Sequence, residues 1–204
     1  MRSFAIPLVL VALSSCSEKG LSRCTVGIQP YGSIPSIWLD SIAVALEREH
    51  GTRVYVLTKR LPPAAAFTTI KTPRYRADSL LRHLLHIKPD SVDLIIGVIR
   101  HDMSTTKYGE DGQVLEPASR YTDWGVFGLG YRPGQASIVS SFRLGEGHPL
   151  LIQRLQKVAV HEIGHNRGLS HCKNKSCVMR SAAERLSTID AEQATICDHC
   201  RRTL

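Results

Sequence analysis

Within HEIGHNRGLSH, His161, Glu162, His165 and His171 stand at the spacing HExxHxxGxxH. Histidines at i and i+4 on a helix aim both rings at one point, an arrangement that suits zinc. Glu162, between them, then sits beside the ion rather than on it and is free to handle a water molecule. Gly168 ends the helix, since glycine takes the left-handed conformation past a helix C-terminus without steric cost. The chain doubles back there, and His171 supplies a third nitrogen. Three neutral imidazoles leave one corner of a tetrahedral zinc for water, as in catalytic rather than structural sites. Zinc lowers the pKa of that water towards about 7 and polarises a carbonyl. Glu162 then acts as general base and passes the proton to the departing amine. Peptide-bond hydrolysis is the reaction these residues are equipped for.

A second group follows. Cys172 and Cys177, then Cys197 and Cys200, form two close pairs joined by a longer segment, a spacing common in closed zinc sites. The N-terminus raises a competing use. MRSFAIPLVLVALSSC opens with Arg2, runs through an apolar stretch too short to span a bilayer, and ends on small residues. Residues 1–15 read as an export signal, and Leu13-Ser14-Ser15-Cys16 looks like a bacterial lipobox whose cysteine is acylated. A plain signal peptide cut near Ser15 is the alternative. Residues 16–24 form a short tether, and acyl chains on Cys16 would hold the remaining domain, 25–204, to a membrane face of the cell envelope. Export exposes thiols to an oxidising compartment, so the pairs Cys172–Cys177 and Cys197–Cys200, or pairs across, are the alternative to zinc.

Met179 lies eight residues past His171. The zinc pattern followed by a methionine turn resembles the metzincin proteases. More narrowly, HEIGHNRGLSHC, four residues, CVM, seventeen residues and CDHC resemble the archaemetzincin family, HExxHxxGxxHC-x4-CxM-x17-CxxC, at every position. The resemblance covers roughly residues 25 to 200 and is weakest between Leu61 and Arg76. It implies an α/β (α+β) zincin-like fold: a twisted mixed β-sheet, a backing helix, an active-site helix and a small C-terminal subdomain. It further implies a catalytic zinc on His161, His165 and His171, with Glu162 as base and Met179 as an apolar floor beneath the ion. A structural zinc on Cys172, Cys177, Cys197 and Cys200 completes the pattern, with His199 a bystander. By the same resemblance GVFGLGY is an edge strand that receives extended peptide. Some metzincins carry a zinc-facing tyrosine just past the methionine; here Arg180 and Ser181 stand there instead.

The elements that must position these groups are legible in outline. Thr25–Tyr31 and Arg53–Thr58 read as strands, and Val92–Ile99 as a strand buried on both faces. Helical spacing runs from Pro35 to Gly51 and from Arg76 to Ile87. LPPAAAFTTIKTPRY is expected to be a long surface loop. Gly125–Tyr131 and Ala136–Phe142 read as a hairpin around Arg132-Pro133-Gly134-Gln135. Leu150–Arg167 is the strongest helix, with Leu151, Leu155, Val158, Ala159 and Ile163 on one face. One short helix is expected in the tail, capped by Asp190 with Gln193 at its third position.

Composition sets the remaining bounds. The 204 residues are 43% hydrophobic and 22% charged, which suits a single globular domain. The net charge of +8 is scattered, without a basic run or aromatic stripe, which argues against nucleic acid as a partner. A peptide or protein substrate is expected, with the membrane reached through the anchor and the chain a monomer. His83 with His86, His101 and His148 lack a third ligand in sequence. Asp102 reads as a turn cap that can border the cleft, and Cys24 as a buried free thiol. A zinc-stabilised lipoprotein that binds peptides without cutting them is the alternative function, but it has no need of Glu162.

Overall fold

The computed structural model describes residues 24–181 and 185–204. The export signal, Cys16 and residues 17–23 lie outside them. A five-stranded sheet runs through the centre, in the order β2 (Arg53–Val56), β1 (Thr25–Tyr31), β5 (Leu94–Ile99), β9 (Ala136–Ser140) and β8 (Gly128–Gly130). The first four strands are parallel and β8 is antiparallel to β9, with Leu129 opposite Ile138. This is the mixed sheet that the resemblance to the archaemetzincins implied.

Side-chain alternation splits the sheet's residues onto two faces. Val26, Ile28, Leu94, Ile96, Val98 and Val139 meet α1 (Ser36–His50) and α4 (Leu151–Asn166) on one side. Ile95, Ile99, Ala136 and Ile138 meet α2 (Ala77–Ile87) on the other. Both faces of β5 are therefore covered, which explains the unbroken apolar run in LIIGVI. Leu155, Ala159 and Ile163 of α4 are wholly buried, each large side chain stabilising the fold by about 1.5–3 kcal/mol. On the same helix His161 and His165 turn away from the sheet core.

The structure corrects three expectations. The stretch from Leu61 to Tyr75 is not wholly loop: β3 (Phe67–Thr68) and β4 (Arg74–Arg76) join β6 (Met103–Thr105) and β7 (Trp124–Gly125) in a second, four-stranded sheet. Strands of two or three residues are too short to carry a readable period. GVFGLGY is likewise not one strand. Its start belongs to β7, beside a short helix α3 (Ala118–Tyr121), and only Gly128–Gly130 joins the main sheet. Lastly, Asp190 caps nothing. It lies inside α5 (Leu186–Ala191), where both carboxylate oxygens accept hydrogen bonds from Arg154 at 2.7 Å, a bidentate pairing stronger than a cap.

The C-terminal piece, α5 and α6 (Asp198–Arg201), is clamped to the end of α1. The buried Glu49 carboxylate accepts hydrogen bonds at 3.0 Å from the Ile196 N–H and from Arg201, while Arg201 also donates to the Glu49 carbonyl. No helix among the described residues is long and apolar enough to cross a membrane.

Candidate metal centre

The end of α4 sets the first ligands. Gly168, at φ 94°, closes a Schellman turn: its N–H donates to the His165 carbonyl and the Leu169 N–H to the Gly164 carbonyl, both at 2.9 Å. That turn aims the Leu169 carbonyl back at the helix, where it accepts the Nδ1–H of His165 at 2.8 Å. His161 donates its Nδ1–H to the Val178 carbonyl, also at 2.8 Å. A carbonyl can only accept, so both rings carry their proton on Nδ1 and present a bare Nε2. His171 follows the turn and is steadied by its neighbour, since the Cys172 N–H donates to the Met179 carbonyl at 2.8 Å.

Each of His161, His165 and His171 offers one ring nitrogen within 4.8 Å of the others. Burial drives the His161 pKa down to about 3, helped by the adjacent His165, and burial also lowers those of His165 and His171. The three imidazoles are thus neutral, the form that binds metal. Nitrogens about 2.0–2.1 Å from a tetrahedral zinc lie roughly 3.4 Å apart, so the cluster fits the ion with small adjustments.

Glu162 lies beside this cluster, 7% exposed. Burial pushes its carboxyl up to about 8. The strand β8 passes directly over it. A Cβ on Gly128 would lie 2.7 Å from Glu162 Oε1, and one on Gly130 3.2 Å from Oε2. Only glycine lets the strand come so near. Together with His161, His165 and His171, these residues line a cavity of about 610 Å³. Phe127, Val158, Ile189, Glu192, Thr105, Lys107 and Arg132 also line it. Among the described residues β8 pairs within the sheet with β9 alone, which makes it an edge strand.

Met179 is fully buried against α4, where a Cβ on Gly164 would collide with its sulfur. Beyond it the sulfurs of Cys172, Cys177, Cys197 and Cys200 all lie within 4.8 Å of one another. Cys172 and Cys197 are 3.8 Å apart, and Cys177 and Cys200 4.0 Å. Four thiolates at about 2.3 Å from one zinc stand about 3.8 Å apart. The group is therefore a single tetrahedral cluster, not two separate pairs. The Cys200 N–H draws the Cys197 thiol down to about 7, while burial raises those of Cys177 and Cys200. A bound cation reverses that rise by stabilising the thiolates.

The other sequence candidates serve elsewhere. His83 Nδ1 lies 2.6 Å from the Tyr31 hydroxyl, His148 Nδ1 accepts the Leu150 N–H, and His101 packs edge-on against Tyr75. His199 is exposed. Asp102 does accept the Met103 N–H, as a turn cap would, but it is buried in an ion pair with Arg143 rather than lining the cavity. Cys24 is a free, half-buried thiol. Sequence reasoning missed the steric fit of Gly128 and Gly130, whose signal was the alternation of glycines in FGLGY. It also missed Glu192, for which no local signal existed.

The comparisons with known proteins agree with this geometry. The family model for peptidase family M54 matches residues 46–204. Archaemetzincin of Methanopyrus kandleri is 38% identical over 178 residues, covering 85% of this chain and 90% of its own. A crystal structure of archaemetzincin from the same organism superposes with a TM-score of 0.72 at 26% identity, covering 92% of this chain and 98% of that one. The archaemetzincin of Archaeoglobus fulgidus complexed with malonate gives 0.67 at 25% identity, covering 88% and 99%. The chain belongs to peptidase family M54, the archaemetzincins, and is a zinc metallopeptidase.

Proposed function

We propose that His161, His165 and His171 hold the catalytic zinc and that Glu162 is the general base of peptide-bond hydrolysis. The reading rests above all on the three inward-facing nitrogens beside a buried carboxylate, in a cavity lined by an edge strand. Zinc held there supplies Lewis acidity, polarising a carbonyl and acidifying water. Glu162 takes a proton from the attacking water and delivers it to the departing amine, so the carboxylate is regenerated. The backbone of β8 aligns the substrate as an added strand, and Met179 packs against α4. Val178 and Leu169 keep the ligand rings in the metal-binding tautomer through their carbonyls.

We assign a second, structural zinc to Cys172, Cys177, Cys197 and Cys200, supported by their single-cluster geometry. That ion would fix the segment carrying His171 and Met179 against α6. The lipobox at Cys16 supports an exported protein tethered by lipid to the cell envelope, acting on peptides or proteins there. Glu162→Gln tests the catalytic reading: the variant should keep its full zinc content and lose peptide cleavage by at least about a hundredfold. Equal cleavage by both proteins refutes it.

A further inference from the structure

Glu192 is a carboxylate with unmet needs. It is 5% exposed, and its Oε2 makes no hydrogen bond among the described residues. Yet it lines the same cavity as His161, Glu162, His165 and His171. Its place is fixed rather than fortuitous. The Glu192 N–H donates to the Thr188 carbonyl at the end of α5, and the Arg154–Asp190 pair anchors that helix to α4. A carboxylate held dry and unpaired is costly, and the cost is removed when a donor arrives.

We propose that Glu192 makes this cavity select substrates with a lysine or arginine side chain beside the scissile bond. The inference rests on the peptidase reading and deepens it. The cavity that Glu192 lines is also lined by the apolar side chains of Val158 and Ile189, which are 7% and 1% exposed. Apolar walls together with a carboxylate match a side chain with a methylene stem and a cationic head. A norleucine of similar length fills the walls but leaves the carboxylate unpaired, and an acidic side chain is repelled.

Among the described residues, the cations that bear on Glu192 are Lys157 and Arg180. The Lys157 ammonium is directed elsewhere, donating to the Ile189 carbonyl at 2.7 Å and the Asp190 carbonyl at 3.4 Å. Arg132, also on the cavity wall, acts on His165 and His171 instead. Despite these neighbours, burial still pushes the Glu192 carboxyl up to about 8. What Glu192 Oε2 lacks, among the described residues, is a direct hydrogen-bond donor.

The test uses the full zinc-loaded chain and peptides that differ only in the residue flanking the cleaved bond. Mass spectrometry of the products should show lysine or arginine favoured over norleucine on the order of ten- to a hundredfold, the size of a hydrogen bond to a charged group. Glu192→Gln should erase that preference, and Glu192→Lys should turn it towards acidic residues, which a merely structural role would not do. Wild-type protein without a basic preference, or Glu192→Gln retaining it, overturns the inference. Calorimetric binding of the same peptides to Glu162→Gln separates the two readings. Tighter binding of the basic peptides that disappears in Glu162→Gln/Glu192→Gln supports the pocket even if the wild type cleaves nothing, a result that would overturn only the peptidase reading. Equal binding of basic and norleucine peptides overturns the pocket.

Discussion

Gly128 governs how closely the strand above the cavity approaches Glu162, because any side chain there would strike the carboxylate. Gly128→Ala should therefore retain zinc but displace the base or lift the strand. A misplacement of about 1 Å can lower turnover by as much as a hundredfold; steady-state kinetics beside zinc analysis would show it, and unchanged turnover would contradict it. The ligand set, the base and Met179 were legible in the chain because their spacing is local: a helix turn, a glycine and a short return bring them together. The residues facing them across the cavity were not. Gly128, Ile189 and Glu192 reach the cavity only through tertiary packing, and a glutamate that becomes buried looks in sequence like any surface glutamate.

At the level of elements, the turn closing α4 carries the metal site. Gly168→Ala would place a Cβ at φ 94°, a strain of about 1–2 kcal/mol, and would disturb the carbonyl that orients His165. Lower thermal stability together with weaker zinc binding is expected, and a stability loss with zinc affinity intact would separate the turn from the ligands. The α1–α4 contact has its own pH signature. His50 is buried, donates Nε2–H to the Val160 carbonyl at 2.9 Å, and burial lowers its pKa from 6.5 to about 4. The unfolded chain thus takes up a proton between those values that the folded chain refuses. This share of stability is complete above pH 6.5 and is lost as pH falls towards 4, up to about 3 kcal/mol. In urea titrations of zinc-loaded protein, His50→Gln should flatten that acid slope; parallel curves would exclude the assignment. The long helices and the strands β1 and β5 were legible because their patterns run over six or more residues. The second sheet was not, since its strands are two or three residues long. Asp190 misled as a cap because its partner, Arg154, lies 36 positions away.

For the whole molecule, the histidine trio and the cysteine cluster are joined through His171–Cys172 and the Met179 carbonyl. Cys197→Ser should lower zinc content by one ion per chain, reduce thermal stability and weaken the histidine site as well, which metal analysis and calorimetry would register. Loss of the first ion with full affinity at the histidines would show the two to be independent. The mixed sheet was foreseen from the family resemblance, but the docking of α6 onto α1 through Glu49 joins segments about 150 positions apart, which local patterns cannot show. Cys16→Ser should move the protein from the membrane to the soluble fraction, and unchanged membrane association would remove the lipid anchor from the account. The most direct measurement is anomalous diffraction at the zinc edge from crystals of the purified chain. Two peaks are expected: one about 2.0–2.1 Å from nitrogens of His161, His165 and His171 with no fourth protein ligand, and one about 2.3 Å from the four sulfurs. No zinc at the histidines, or a protein side chain completing that coordination sphere, would contradict the account.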